Sequence, residues 1–137
     1  MIDAHSLARL ALFADLSGPE LVEVAEQMDE ERYPREARIL REGLSGAAFH
    51  VIVDGVAAVV IAGTERTRLG AGEFFGEVSI LTGEPVGADV VAASDDVRCA
   101  VLPGPELRGL LLRHPPVALR MLEQDARRLQ ATNRWLS

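Results

Sequence analysis

The hydrophobic pattern along the chain changes period twice. Over "LSGPELVEVAEQM", Leu21, Val24, Ala25 and Met28 recur at helical spacing on one face. Ser17 and Glu20 have the spacing of a capping box, and Leu16 and Leu21 that of a hydrophobic staple, so a helix is predicted to start here. A shorter apolar segment around Leu7, Leu10 and Ala11 precedes it, and the two predict a small helical bracket over 1–29. From about Glu30 the period falls to two. "ERY", "RIL", "FHVIVDG", "VAAVVIAG", "TRLGAG", "ADVVAA" and "RCAVL" are short β-prone runs, interrupted every few residues by Gly, Asp or Pro. Asp54-Gly55 is the strongest hairpin signal among them. Seven or eight strands at this spacing predict a sandwich, jelly roll or barrel over 30–103. Helical spacing returns in "GPELRGLLLRH" and, past Pro115 and Pro116, in "PVALRMLEQDARRLQATNRWL", which predicts two helices over 104–137. No linker or repeat interrupts this order, so residues 1–137 read as one domain.

Composition narrows the function. The net charge of −7 argues against a nucleic-acid binder, because phosphate backbones are held by clustered cations. All the basic residues are arginine. No apolar run reaches the roughly 18 residues of a membrane span and no charged leader precedes the first helix, so a cytoplasmic domain is expected. The single cysteine, Cys99, lies in the apolar run "VRCAVL" and reads as a packed thiol. His5, His50 and His114 fall on three separate elements, which speaks against a metal-dependent jelly-roll enzyme. His50 in particular reads as a half-exposed strand histidine, and no G-x-S-x-G elbow is present. An enzyme is not expected.

The most specific stretch is "FFGEVSILTGEPVGADVV", Phe74 to Val91. Its glycine corners would let backbone N–H groups approach an anion, yet it contains no Lys or Arg, while Glu77, Glu84 and Asp89 are all acidic. Phe75, Gly76, Glu77, Val78, Ser79 and Ile80, followed after a short spacer by Pro85, Gly87, Ala88 and Val90, resemble the motif of the cyclic nucleotide-binding domain family. Gly43 and Gly55 fall where that family has turn glycines, and "HPPVALRMLEQDARRL" resembles its junction between the two C-terminal helices. The resemblance covers nearly the whole chain. It implies a mainly β fold with flanking α: an eight-stranded β-roll of the jelly-roll type with N-terminal helices, a short phosphate-binding helix between strands 6 and 7, and two C-terminal helices. It also implies a ligand, cyclic AMP or cyclic GMP. Phe75, Gly76, Glu77, Val78, Ser79, Pro85, Val86, Gly87, Ala88 and Asp89 would form its site. Glu77 would accept from the ribose 2′-hydroxyl, and the N–H groups of Ser79 and Gly87 would hold phosphate oxygens.

Here the sequence departs from the family. The position of the motif arginine is Val86, and Asp89 replaces a Thr or Ser. If Asp89 faced the phosphate at about 6 Å, it would cost roughly 3 kcal/mol; if it pointed to solvent, that cost would vanish. Arg66, Arg68, Arg127 and Arg128 are the candidates for a relocated cation, and each reads better as a solvated surface charge.

On the terminal helix, Leu119, Leu122, Ala126, Leu129, Asn133 and Leu136 follow the 3-4 spacing of a heptad seam. The stripe packs either on the chain's own β-roll or on a second copy. The resemblance to activator-type members implies a homodimer. Three readings follow: a regulatory domain with a degenerate pocket, a working cyclic nucleotide sensor with a relocated cation, and the sensor half of a transcription regulator separated from its DNA-binding part.

Overall fold

The computed structural model describes residues 1–133. Helices α1 (Ala4–Ala8) and α2 (Gly18–Gln27), with a single tight turn at Ala11–Phe13 between them, precede the strands. The eight strands are β1 (Asp29–Pro34), β2 (Arg38–Leu40), β3 (Phe49–Asp54), β4 (Ala57–Ile61), β5 (Thr64–Leu69), β6 (Phe74–Phe75), β7 (Asp89–Ala92) and β8 (Asp96–Leu102). Helix α3 (Glu77–Thr82) lies between β6 and β7, and α4 (Gly104–Arg113) and α5 (Pro115–Asn133) follow β8. The strands form two four-stranded antiparallel sheets, β1-β8-β3-β6 and β2-β7-β4-β5.

Helix α2 starts where the sequence predicts. Ser17 Oγ accepts from Glu20 N–H and the Glu20 carboxylate accepts from Ser17 N–H, so two donors at the helix start are satisfied. The apolar face of α2 buries Val24 and Ala25 against Leu7, Phe13, Phe49, Leu107 and Val117. This first core lies between the helices and the β1-β8-β3-β6 sheet. A second core, with Leu40, Ile52, Leu69, Phe75, Val86, Val90 and Cys99, lies between the two sheets. Cys99 is fully buried, and burial pushes its thiol up to about 12, so it packs as an apolar residue.

Because the first sheet is covered on both sides, alternation along β3 no longer separates core from solvent. Phe49, Val51 and Val53 face the helices, and Ile52 faces the other sheet. His50, on the inter-sheet side, is therefore 5% exposed and not half-exposed as its alternation suggests. Its ring stacks on Phe75 at 4.8 Å. Nδ1 lies 3.1 Å from the Ala48 carbonyl, which can only accept, so Nδ1 carries the proton; Nε2 then accepts from the Tyr33 hydroxyl at 3.2 Å. Burial lowers the imidazole to about 4, against the opposing pull of the Ala48 carbonyl. Burial likewise raises the Tyr33 hydroxyl to about 12, which keeps it a donor.

Asp54-Gly55 does not make the expected hairpin. β3 pairs with β6 and β8, whereas β4 pairs with β5 and β7, so this corner carries the chain from one sheet to the other. Gly55 has φ +98°, and a Cβ there would meet Asp96 O, Ser94 Oγ and Val97 Cα at 3.0 Å each. The corner is thus set by a neighbouring loop and not by a two-residue turn. The hairpin proper joins β4 to β5 through Ala62-Gly63, both at positive φ.

The buried neutral His50 makes stability pH-dependent. Its folded pKa lies below the ordinary 6.5, so its contribution is present above that value and is lost as pH falls toward 4. Between pH 7 and pH 5 this single group should remove about 2 kcal/mol of unfolding free energy. The His50→Gln variant should lose that share of the slope in chemical denaturation series at the two pH values. An unchanged slope would mean that the imidazole titrates alike folded and unfolded.

Candidate functional site

At the end of β6 the chain must reverse from an inter-sheet strand into α3. Gly76 does this with φ +95°, and a Cβ at this position would overlap the Ala48 carbonyl oxygen. The turn drives Glu77, the first residue of α3, inward to 1% exposure. Helix α3 ends at Gly83, and Ser79 Oγ donates to the Glu84 carbonyl at 2.6 Å, folding the following loop back over the helix. Val86 pins that loop to the β2–β3 connection: its N–H donates to Leu44 O at 2.9 Å and its carbonyl accepts from Gly43 N–H at 2.7 Å.

These elements wall a cavity of about 1020 Å³ with β4, β5 and the end of α5. Phe75, Gly76, Glu77, Val78, Ser79, Pro85, Val86, Gly87 and Ala88 all line it. Asp89 does not. Its carboxylate accepts from Glu42 N–H at 2.8 Å and lies 3.7 Å from Arg38 Nε, so it caps the β2–β3 connection from outside the cavity. The repulsive alternative considered for Asp89 therefore drops out.

Val86 is 8% exposed and belongs to the apolar cluster of Leu40, Phe75 and Val90. The cavity wall is thus apolar where the sequence motif places an arginine. From α5 the cavity receives a group that sequence reasoning placed in solvent. Arg128 Nη2 donates to the Phe74 carbonyl at 2.6 Å, Nη1 lies 3.3 Å from Glu77 Oε2 and 3.5 Å from Asp125 Oδ1, and the guanidinium sits 4.6 Å above the Phe74 ring. It is a partner for a buried carboxylate and not a solvated charge. Burial first, and the Asp125 carboxylate second, push the Glu77 carboxyl up to about 8, while Arg128 opposes both.

The other candidates behave differently. Arg66 lines the cavity from β5 but is exposed. Arg68 is exposed and forks onto Glu65, and Arg127 is exposed. Sequence reasoning named Arg128 only as one of four candidates and missed its pairing with Glu77, 51 positions away in the chain, as well as the part of Asp125.

Along α5, Leu119, Leu122, Ala126 and Leu129 face solvent, the three leucines at 59%, 64% and 61% exposure, while Val117 and Met121 fill the helical core. These four described residues do not pack on the β-roll. The Asn133 side chain and Leu136 lie outside the described residues. Among the described residues no helix is long and apolar enough to cross a membrane.

Comparison with known proteins agrees with this architecture. The model of the cyclic nucleotide-binding domain matches residues 30–114. A putative potassium channel protein of Rhodopseudomonas palustris is 30% identical over 121 residues, 86% of this chain and 29% of that protein. A cAMP-dependent protein kinase regulatory subunit of Mycosarcoma maydis is 33% identical over 124 residues, 79% of this chain and 23% of that one. The chain thus spans about a quarter of the length of these two relatives. Among solved structures, the catabolite activator protein of Thermus thermophilus superposes with a TM-score of 0.79 at 29% identity, over 91% of this chain and 61% of that one. The eight-stranded roll, the inserted helix and the family match together show that the chain belongs to the cyclic nucleotide-binding domain family.

Proposed function

We propose that this regulatory domain binds cyclic AMP or cyclic GMP weakly or not at all and acts chiefly as a non-catalytic interaction module in the cytoplasm. The observation that carries the reading is Val86, buried among Leu40, Phe75 and Val90 at the position of the family's arginine. A charge-assisted hydrogen bond to an anion contributes about 1.5–3 kcal/mol, or one to two decades of affinity. The loss falls at the upper end, because the anion would also shed water against an apolar wall without a counter-charge. The backbone cradle itself is intact: the first-turn N–H groups of α3 have no intrahelical acceptor, and α3 opens onto the cavity.

A second reading concerns α5. Leu119, Leu122, Ala126 and Leu129 form an uncovered apolar stripe at heptad spacing, which favours a parallel homodimer through this helix. Burying each leucine contributes about 1.5–3 kcal/mol before association entropy is subtracted.

Two measurements test these readings. Isothermal titration of cyclic AMP into the wild type should give a dissociation constant in the high-micromolar range or weaker, and Val86→Arg should tighten it by about ten- to a hundredfold. Asp89 needs no change, since it stands outside the cavity. A sub-micromolar wild-type constant at physiological salt would sink the first reading. For the second, the wild type should sediment as a dimer at tens of micromolar, about the range that a short seam supports. Leu129→Asp should sediment as a folded monomer; a monomeric wild type denies the dimer.

A further inference from the structure

Away from the cavity, His114 is 4% exposed, and neither of its ring nitrogens has a hydrogen-bond partner. A buried polar group left unpaired is uncommon and calls for a reason. The residue sits where α4 ends and α5 begins. Its N–H donates to Leu110 O at 2.9 Å, and its carbonyl accepts from Val117 N–H at 2.9 Å. The side chain leaves this joint toward α2, with Nδ1 3.5 Å from Glu20 Oε2 and Nε2 3.7 Å from Glu23 Oε1. Each carboxylate approaches a different nitrogen, and among the described residues no group of His, Cys, Asp and Glu side chains could hold a metal ion. The Ser17 N–H, and then the Ser17 side chain, hold the Glu20 carboxyl below its ordinary range, so Glu20 stays ionised in mildly acidic solution. Arg113 also stands beside this group, its Nε 3.6 Å from the same Glu23 oxygen and its Nη2 donating to Gln27 Oε1 at 2.8 Å. From α5, Arg120 forks onto Asp15 at 2.7 and 3.1 Å.

We propose that His114 is a proton-operated clasp: on gaining a proton it donates to Glu20 and Glu23 at once and tightens the α4–α5 joint onto α2. The geometry has an acceptor on each side of the ring. A neutral imidazole carries one N–H, so in either tautomer one carboxylate faces a bare nitrogen, acceptor against acceptor. The charged imidazole carries two N–H groups and matches both carboxylates, and a shift of well under 1 Å on each side brings them to charge-assisted hydrogen-bond length. Burial and the Arg113 guanidinium oppose the charge, while the two carboxylates favour it. The arginine links to Gln27 and Asp15 hold the same helices together whatever charge His114 carries, so the clasp tightens a joint that is already formed. Its contribution to stability is present while the imidazole is charged and is lost as pH rises, opposite in sign to that of His50.

The test is a double-mutant cycle on the whole chain, unfolded chemically at about pH 5.5 and about pH 8. Its four proteins are the wild type, His114→Gln, the pair Glu20→Gln with Glu23→Gln, and all three changes together. Gln at position 20 keeps the capping-box acceptor for Ser17 N–H, so the start of α2 is retained. The coupling between His114 and the carboxylate pair is expected to change the unfolding constant at least about fivefold at the acidic pH and less than about twofold at the alkaline one. His50 is present in all four proteins, so its titration cancels. No coupling at the acidic pH overturns the proposal. Equal coupling at both pH values also overturns it, because packing alone would then account for the contact. If His114→Gln does not fold, the wild type and the exposed carboxylate pair decide between them. The pair of Gln changes should then destabilise at least about fivefold more at the acidic pH than at the alkaline one, and equal losses overturn the clasp.

Discussion

The close approach of Gly76 to the Ala48 carbonyl is the constraint on which both the fold and the site depend. That oxygen accepts the proton of His50 Nδ1 from one side and leaves no room for a Cβ on the other. Because Nδ1 is committed, the imidazole is a neutral acceptor for Tyr33, and its ring is free to stack on Phe75. Phe75 is the last strand residue before the turn and part of the cavity floor. A buried histidine in the inter-sheet core and a left-handed glycine at a helix start are thus two sides of one contact. Relaxing it would displace Phe75 and Glu77 together.

The turn has an electrostatic consequence. Starting α3 at Glu77 puts a carboxylate at the positive end of a helix, a favourable place, but also at 1% exposure, an unfavourable one. The chain offsets the second with Arg128 from the far end of the sequence, and Asp125 then partly cancels Arg128. What remains is a corner where two carboxyl groups share one guanidinium, in a cavity also lined by Arg66, Glu73 and Glu84. Retaining the glycine turn and the glutamate while losing the arginine is coherent in these terms, because the backbone geometry and the acidic corner do not need a phosphate to hold them.

Local chemistry was legible in the sequence, and chemistry that joins distant segments was not. The capping box at Ser17 and Glu20, seven or eight short strands and the two C-terminal helices follow from patterns spanning fewer than about twenty residues, whereas the inserted α3 was implied by the family resemblance of the Phe74–Val91 stretch. Nine of the ten residues expected to form the site line one cavity, since they sit on a single stretch whose turns are dictated by its own glycines. The errors share another cause. His50 alternates correctly, but whether the second face of β3 meets water depends on a sheet contributed by other strands. Asp54-Gly55 has the composition of a hairpin, yet β8 and its preceding loop outcompete β4 as partner for β3. Arg128 sits on a helix whose placement only the packed fold determines, and Asp89 turns outward because Glu42 N–H and Arg38 are there to receive it.

Helix α5 joins these levels, because one element carries both the cavity's bound cation and the uncovered leucines. Arg128 and Thr132 face the cavity, while Leu122, Ala126 and Leu129 face solvent about a third of a turn round the helix. The guanidinium contacts four groups at once: the Glu77 and Asp125 carboxyls, the Phe74 carbonyl and the Phe74 ring. Any change in the hydrogen bonding or charge of Glu77 therefore alters the free energy anchoring the second half of α5 to the roll. Arg128 thus ties the cavity wall to the same helix that carries the uncovered leucines, through the Glu77 carboxyl and the Phe74 carbonyl and ring.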